Sequence, residues 1–111
     1  MKLVGETFRN SNTCEGVTFA SKRTNHDIAT VTISGRYPEE GWSMNEASDE
    51  IVYVSDGKGK LICKDEGVQE LEKGDGAFVE AGIWFAWEGD MTIVMSCSPA
   101  FNSEQYRWKE Q

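Results

Sequence analysis

The feature of this sequence that most constrains its fold is a succession of short β-prone runs separated by turn residues. Residues 27–34 are rich in β-branched side chains and alternate Ile28, Thr30 and Thr32 with Ala29, Val31 and Ile33. Residues 51–54 form an apolar run, and residues 91–97 are again rich in β-formers. Runs of this length and period, bounded by Gly, Asp and Asn at near-regular spacing, are typical of an all-β sandwich or barrel. Pro99 is expected to end the last run, because proline has no amide proton for a β-ladder. The sequence therefore predicts an all-β fold.

One turn signal predicts a specific connection. Asp56-Gly57 lies between residues 51–54 and 60–64, so these two runs are expected to form a hairpin. Helix signals are confined to residues 102–109, where a single turn is the most that the pattern supports.

Length and charge limit the classes of function. The chain has 111 residues, which suits one domain, and 19 acidic against 11 basic side chains give a net charge of −8. Nucleic-acid binding needs a clustered Lys/Arg surface that this composition lacks. No apolar run approaches the roughly 18–20 residues that span a bilayer, and residues 1–10 do not have the pattern of a signal peptide. We expect a cytoplasmic protein with no nucleic-acid or membrane partner.

Cysteine and histidine are both scarce. The chain has three cysteines, an odd number, and no C-x-x-C motif. We therefore expect Cys14, Cys63 and Cys97 to be reduced thiols. The single histidine, His26, lies in the turn-like run 24–27 and is expected to be exposed. One imidazole cannot form a histidine-based metal site.

Four residues stand at the spacings of a known pair of motifs. Glu50 is followed by Gly57 after six residues, and sixteen residues separate Gly57 from Gly74, with Gly82 further along. On these positions residues 38–101 resemble a small single-domain cupin, whose motifs are G-x5-H-x-H-x3-4-E-x6-G and G-x5-P-x-G-x2-H-x3-N. The glycines suit reversals of the backbone with positive φ.

The resemblance implies a cupin-like double-stranded β-helix, or jelly-roll barrel. It places one domain over residues 1–111, with a barrel core at about 28–101, a short N-terminal strand and a C-terminal tail. It also implies a homodimer, since cupins of this size resemble pairs in which an N-terminal strand joins the neighbour's sheet.

The departures from the family motifs concern the metal ligands. In the family, two motif-one histidines, the glutamate and one motif-two histidine hold the metal. A three-residue spacer before the glutamate places the first two histidine positions at Met44 and Glu46, and a four-residue spacer places them at Ser43 and Asn45. The motif-two position is Phe85. With these imidazoles replaced, we expect no bound transition metal and no other cofactor.

The three-residue spacer predicts which side chains face the barrel interior, since strand residues alternate between faces. The predicted lining combines a thioether, two carboxylates and two aromatic rings: Met44, Glu46, Glu50, Phe85 and Trp87. Glu46 has a second interpretation, an exposed position in an acidic loop, because the register there is open. Glu50 is expected inside, paired with Arg36, since a buried carboxylate needs a partner.

These features support three hypotheses of function. The first is a metal-free protein that binds a small organic ligand (a sugar, an organic acid or an amine) in the barrel through Arg36 and the predicted lining. The second is an isomerase, epimerase or lyase in which Glu46 or Glu50 is the general base and Arg36 or Tyr37 stabilises negative charge. The third is a structural or regulatory homodimer whose barrel is packed and has no pocket.

Overall fold

The predicted β-runs are present as strands of a curled sheet. The computed structural model describes residues 1–21, 23 and 25–111. Its elements are β1 (Glu6–Ser11), β2 (Cys14–Ala20), β3 (Asp27–Tyr37), β4 (Trp42–Asn45), β5 (Asp49–Cys63), β6 (Gly67–Glu72), β7 (Gly76–Val79), β8 (Phe85–Ser98), a 3₁₀ turn (Ser103–Gln105) and β9 (Tyr106–Lys109). The expectation of an all-β fold is confirmed.

The topology is that of a jelly-roll barrel. One layer has the antiparallel order β1-β2-β3-β8-β4-β9, and the long strand β5 pairs with β6, β7 and β8. β5 and β8 run side by side from Asp49 opposite Ser98 to Cys63 opposite Phe85, so they pass through both layers and connect them. β8 ends at Ser98, directly before the proline, as expected.

The hairpin expected at Asp56-Gly57 is wrong, because both of its predicted arms belong to the single strand β5. A β-bulge between Val54 and Asp56 bends the strand, and Gly57 continues it with φ +77°. A Cβ at Gly57 would collide with the Asp90 carbonyl oxygen of β8. The glycine therefore allows two strands to approach closely while β5 passes from one layer to the other.

The C-terminal segment contains more structure than its pattern indicated. The expected single turn is present at Ser103–Gln105, but the next four residues form β9, which pairs with β4. A four-residue strand whose partner lies some sixty positions earlier has too little periodicity of its own to be recognised.

Alternation along the strands separates an inner from an outer face. On β3, Asp27, Ala29, Val31 and Ile33 are buried whereas the residues between them are exposed. Side chains of this inner face form a hydrophobic core with Val52, Val54, Leu61 and Ile93 of the long strands. The described residues include no helix that is long and apolar enough to cross a membrane. His26 is exposed, as expected, while Thr24 of the same turn-like run lies outside the described residues.

Candidate functional site

The barrel encloses a cavity of about 520 Å³ between the inner faces of its strands. This volume falls within the range of small-molecule sites. The cavity contradicts the packed barrel that the third hypothesis includes. The lining residues used below come from six strands and from the segment after β8: Glu6, Asp27, Tyr37, Ser43, Asn45, Glu50, Phe85, Trp87, Phe101 and Tyr106.

Glu50 provides the one buried side-chain oxygen among the described residues that has no hydrogen-bond partner. Its side chain is 5% exposed, and its Oε1 accepts a hydrogen bond of 2.5 Å from Asn45 Nδ2. Its Oε2 is buried without a partner at the cavity. Burial raises the pKa of Glu50 to about 7, the Asn45 amide lowers it and the negative charge of Asp27 raises it further. Glu50 can therefore hold or release a proton near neutral pH.

Ser43 and Asn45, rather than Met44 and Glu46, face the interior from β4. Both are buried at the cavity, with exposures of 0% and 4%. The structure therefore agrees with the four-residue spacer. The assignment of Met44 and Glu46 to the interior, which follows from the three-residue spacer, is wrong. A one-residue change of register exchanges the two faces of a strand, and the sequence before Glu50 does not fix that register.

Glu46 is on the protein surface. Its Oε1 lies 2.9 Å from Arg107 Nε of β9, and both side chains are about half exposed. Met44 is half-buried and does not contact the cavity. Neither residue is in a position to bind a cavity ligand, so the second interpretation of Glu46, an exposed position, is confirmed.

Arg36 does not pair with Glu50, and that expectation is also wrong. Its Nη1 donates hydrogen bonds of 2.8 Å and 2.9 Å to the carbonyl oxygens of Pro38 and Gly41. Its guanidinium lies over the Trp42 ring, 5.1 Å from the centroid. The cation thus holds the β3–β4 loop and is not part of the lining.

Three hydroxyl groups line the cavity near β4. The Ser43 and Tyr106 hydroxyl oxygens are 2.6 Å apart, and either can donate. Burial, followed by the effect of the neighbouring Tyr106 hydroxyl, raises the pKa of Tyr37 above its ordinary value. Tyr37 is therefore a neutral donor and acceptor at physiological pH. Tyr106 was not expected, since only the unrecognised strand β9 brings it to the barrel.

Asp27 supplies the second interior carboxylate that was expected at Glu46. It is 7% exposed, and its two oxygens accept hydrogen bonds from the backbone amides of Cys97 and Phe101, at 3.1 Å and 3.0 Å. These bonds fix the segment that follows β8 against β3. Asp27 was missed because the turn-like residues before it suggested a loop position.

Phe85 and Trp87 are in the interior, as expected. Their rings meet edge to face, with centroids 6.3 Å apart and an angle of 73°. Phe85 is 5% and Trp87 2% exposed. The two rings are therefore packed into the cavity wall and offer a ligand little accessible surface for stacking. Trp84 faces the other way, and Lys109 Nζ lies 4.4 Å from its ring centroid.

The charged side chains that line the cavity are acidic. Glu6, Asp27 and Glu50 line it, and the described lining includes no Lys, Arg or His. An anionic ligand would meet no positive partner here, and its burial near carboxylates would be unfavourable. The cavity suits neutral or cationic molecules.

The cysteines are free thiols. Burial raises the pKa of Cys14 to about 11, and burial together with the charges of Glu50 and Asp27 raises the pKa of Cys97 above its ordinary value. Both thiols are thus protonated at neutral pH and are poor nucleophiles, which agrees with a structural role.

The donor set does not fit the metal of the resembled family. The four positions hold Ser43, Asn45, Glu50 and Phe85, so the glutamate is kept while a hydroxyl, an amide and a phenyl ring replace the three imidazoles. The Asn45 amide already donates to Glu50. Within residues 1–21, 23 and 25–111, no cluster of three or more His, Cys, Asp or Glu side chains is arranged to hold a metal ion. We derive no step through a metal.

Comparisons with known proteins concern the fold. Residues 29–97 match the family model described as Cupin domain. Curated protein sequences give no significant match. Among solved structures, Pac13 from Streptomyces, described as a nucleoside dehydratase, superposes with a TM-score of 0.85 at 18% identity, over 99% of this chain and 91% of Pac13. A Pac13 variant was solved with uridine.

Two further structures are similar over most of their length. Ectoine synthase from P. lautus has a TM-score of 0.71 at 11% identity, covering 91% of this chain and 79% of the synthase. KdgF from Halomonas sp. has a TM-score of 0.67 at 16% identity, covering 89% and 90%. At these identities the similarity establishes the barrel and not the reaction.

Proposed function

The chain belongs to the cupin domain family, and from that premise we propose that its barrel cavity binds a neutral, hydroxyl-bearing small molecule of nucleoside or sugar size. The observation that carries this proposal is the unpaired, buried Oε2 of Glu50 at the cavity. A buried polar atom without a partner is costly, and a ligand hydroxyl that donates to it would remove that cost.

The remaining lining supports a hydroxylated ligand. Ser43, Tyr37 and Tyr106 contribute hydroxyl groups that can donate or accept, and Asn45 donates a hydrogen bond to the Glu50 carboxyl. A few convergent polar groups in a mainly apolar cavity provide orientation and specificity.

The charge of the lining selects among the ligand classes considered from the sequence. Organic acids are disfavoured, because Arg36 holds a loop instead of facing the cavity and the interior carries carboxylates. Sugars and nucleosides fit better. The solved complex of a Pac13 variant with uridine makes uridine a suitable first probe.

Thermal-shift measurements on matched pairs of compounds test the proposal. Uridine and glucose represent neutral ligands, and uridine 5′-monophosphate and glucose 6-phosphate are their anionic counterparts. At least one neutral compound should raise the melting temperature with saturation, since binding to the folded state stabilises it by mass action. Its phosphorylated counterpart should have little effect. No shift with either neutral compound, or equal shifts within a pair, would contradict the proposal.

A second candidate function, acid–base catalysis on such a ligand, is favoured by one further observation. The pKa of Glu50 is about 7, which suits a group that takes and returns a proton near neutral pH. Tyr37 and Tyr106 would stabilise negative charge on a ligand oxygen, replacing Arg36 in the role expected for it.

Hydrogen–deuterium exchange distinguishes catalysis from binding. In D₂O, a general base would replace the carbon-bound proton next to the carbonyl of a neutral sugar such as xylulose, and proton NMR would follow the loss of that signal. Glu50→Gln should abolish the exchange while Glu46→Gln, on the surface, retains it. Saturable binding of xylulose without exchange would identify a binding protein instead.

A further inference from the structure

The exposed part of the cavity lining marks where a ligand would enter. Among the described residues, the exposed members of the lining belong to β1 and to the segment after β8: Glu6, Thr7, Asn10, Phe101 and Ser103. The other described lining residues are buried or half-buried. β1 stands at one end of the strand order of its layer. The opening of the cavity therefore lies between the edge strand β1 and residues 101–103.

Two phenyl rings border this opening and line the cavity, Phe8 on β1 and Phe101 after β8. Phe8 is half-buried and lies over Gly16, where an added Cβ would come within 3.0 Å of its ring. Phe101 is 46% exposed, and the hydrophobic core of the described residues does not include it. The opening thus presents apolar ring surface to a molecule that enters, and the Phe101 ring is available for a contact that folding does not use.

Backbone contacts hold Phe101 at a defined distance from Glu50. The Phe101 amide donates to one Asp27 oxygen at 3.0 Å, and the other Asp27 oxygen accepts from the Cys97 amide. Cys97 pairs with Glu50 of β5. Asp27 and Glu50 lie on strands that both pair with β8, so two strand spacings, about 10 Å, separate their backbones. One ligand of the proposed size can therefore contact both Glu50 and Phe101.

The two ends of the cavity differ in polarity. The buried end has the unpaired Oε2 of Glu50 and the hydroxyl pair of Ser43 and Tyr106, whereas the opening has two phenyl rings and the carboxylate of Glu6. A flat ring with polar edges suits the opening, because its face can pack on a phenyl ring while its edge stays hydrated. An anionic group there would be repelled by Glu6.

On the basis of the proposed function, we propose that the ligand carries a flat aromatic ring, as in a nucleoside or an aryl glycoside, which stacks on Phe101 at the opening while its hydroxyl groups reach Glu50. Phe101 is then the residue that distinguishes such glycosides from free sugars and alkyl glycosides. Removing an aromatic side chain on which a base stacks weakens binding by roughly tenfold or more. The loss should be confined to ligands that carry the ring.

Isothermal titration calorimetry with two matched pairs of compounds provides the first test. Uridine is compared with methyl β-D-ribofuranoside, and phenyl β-D-glucopyranoside with methyl β-D-glucopyranoside. In at least one pair the compound with the ring should bind about tenfold more tightly. Equal affinities within both pairs would overturn the stacking proposal and leave the proposed function standing. Failure of all four compounds to bind would contradict both.

Variants of Phe101 identify the residue responsible. Phe101→Ala should weaken the ring-bearing compound about tenfold and leave the methyl glycoside nearly unchanged, which forms a double-mutant cycle on this one contact. Phe101→Trp should keep the preference, whereas Phe101→Leu, apolar but not flat, should lose most of it. Phe78→Ala, on a 55% exposed phenylalanine of β7 outside the cavity lining, is the matched control and should bind as the native protein does.

Three results would overturn the role of Phe101. These are a ring preference that survives Phe101→Ala, an equal loss of affinity for both members of a pair, and a preference that Phe101→Leu retains in full. Melting temperatures of the unliganded variants confirm that each is folded, and a change is not expected because Phe101 lies outside the core.

Discussion

At the scale of single residues, the Glu50 carboxyl dominates the energetics of the barrel interior. It is almost fully buried, it has one hydrogen-bond donor in Asn45 and it lies near the negative charge of Asp27. The described part of the chain places no Lys, Arg or His in the cavity lining beside it, and Arg36 is engaged with the β3–β4 loop. Ionised Glu50 is therefore a destabilising element, of the kind proteins retain at binding and catalytic sites.

The pH dependence of stability follows from this. The pKa of Glu50 is about 7 in the folded state and 4.5 for the free side chain, so between these values the folded state binds more protons. The contribution of Glu50 to the free energy of unfolding is fully present below pH 4.5. About 3 kcal/mol of it is lost as the pH rises through 7. Urea unfolding at pH 4.5 and pH 8 should show that loss in the native protein and not in Glu50→Gln. An equal pH dependence in both proteins would contradict the buried carboxyl.

The residue-level predictions from the sequence succeeded where the motif spacing fixed the position. Glu50, Phe85 and Trp87 line the cavity as predicted, because the motif spacing gives the positions of Glu50 and Phe85 and Trp87 lies two residues after Phe85 on the same strand. Met44 and Glu46 were assigned to the wrong face because the loop before Glu50 admits two spacers that differ by one residue. The interior roles of Asp27 and Tyr106 depend on contacts distant in sequence, which no local pattern contains.

At the scale of elements, the close approach of β5 and β8 determines the shape of the barrel. Gly57 and Gly59 of β5 face Asp90, Glu88 and Gly89 of β8 without room for side chains. A glycine beside aspartate within a β-rich sequence has the same local signature in a hairpin turn and in a bulged strand, so the hairpin prediction failed for lack of tertiary information.

Two glycine substitutions separate crowding from backbone strain. Gly57 and Gly74 both have positive φ, at +77° and +97°, but only Gly57 has backbone atoms of another strand at the position of a Cβ. Gly74→Ala should cost about 1 kcal/mol for the left-handed conformation. Gly57→Ala should cost more than about 3 kcal/mol, because β8 must also move. Equal melting temperatures for the two variants would contradict the observed contact.

The C-terminal segment is an integral element, anchored by Gln105. Its Oε1 accepts hydrogen bonds from the backbone amides of Ala47 and Ser48, at 2.8 Å and 2.7 Å, and its Nε2 donates to Ser48 Oγ. Gln105→Ala should lower the free energy of unfolding by about 2–3 kcal/mol, because a buried amide loses its acceptor. Glu104→Ala, on an exposed neighbour, should change it little. Equal urea midpoints for the Gln105→Ala and Glu104→Ala variants would contradict a stabilising role of the Gln105 hydrogen bonds.

At the scale of the whole molecule, the two faces of one sheet have different chemistry. The inner face surrounds a cavity with carboxylates and hydroxyl groups, whereas the side chains exposed on the opposite face include the apolar Ile28, Ile51, Tyr53 and Phe78. These exposed side chains are separated from the proposed ligand site by the thickness of the sheet, so substitutions on one face need not disturb the other.

The absence of the family's metal stays a prediction, and elemental analysis tests it. The interior donor set favours no transition metal, since Phe85 and the amide of Asn45 replace imidazoles. Protein purified without chelators should contain far less than one Fe, Mn, Ni or Zn per chain. A stoichiometric metal that survives dialysis would contradict this part of the account.

The central claim is that a cavity ligand contacts the Glu50 carboxyl, and carbon-13 NMR of that carboxyl tests it most directly. In the free protein the resonance should titrate with a midpoint near pH 7, as burial requires. Saturating uridine should lower the midpoint, because a donated hydroxyl hydrogen bond favours the ionised form. A midpoint near 4.5 in the free protein, or one that neither saturating uridine nor saturating glucose changes, would contradict the claim.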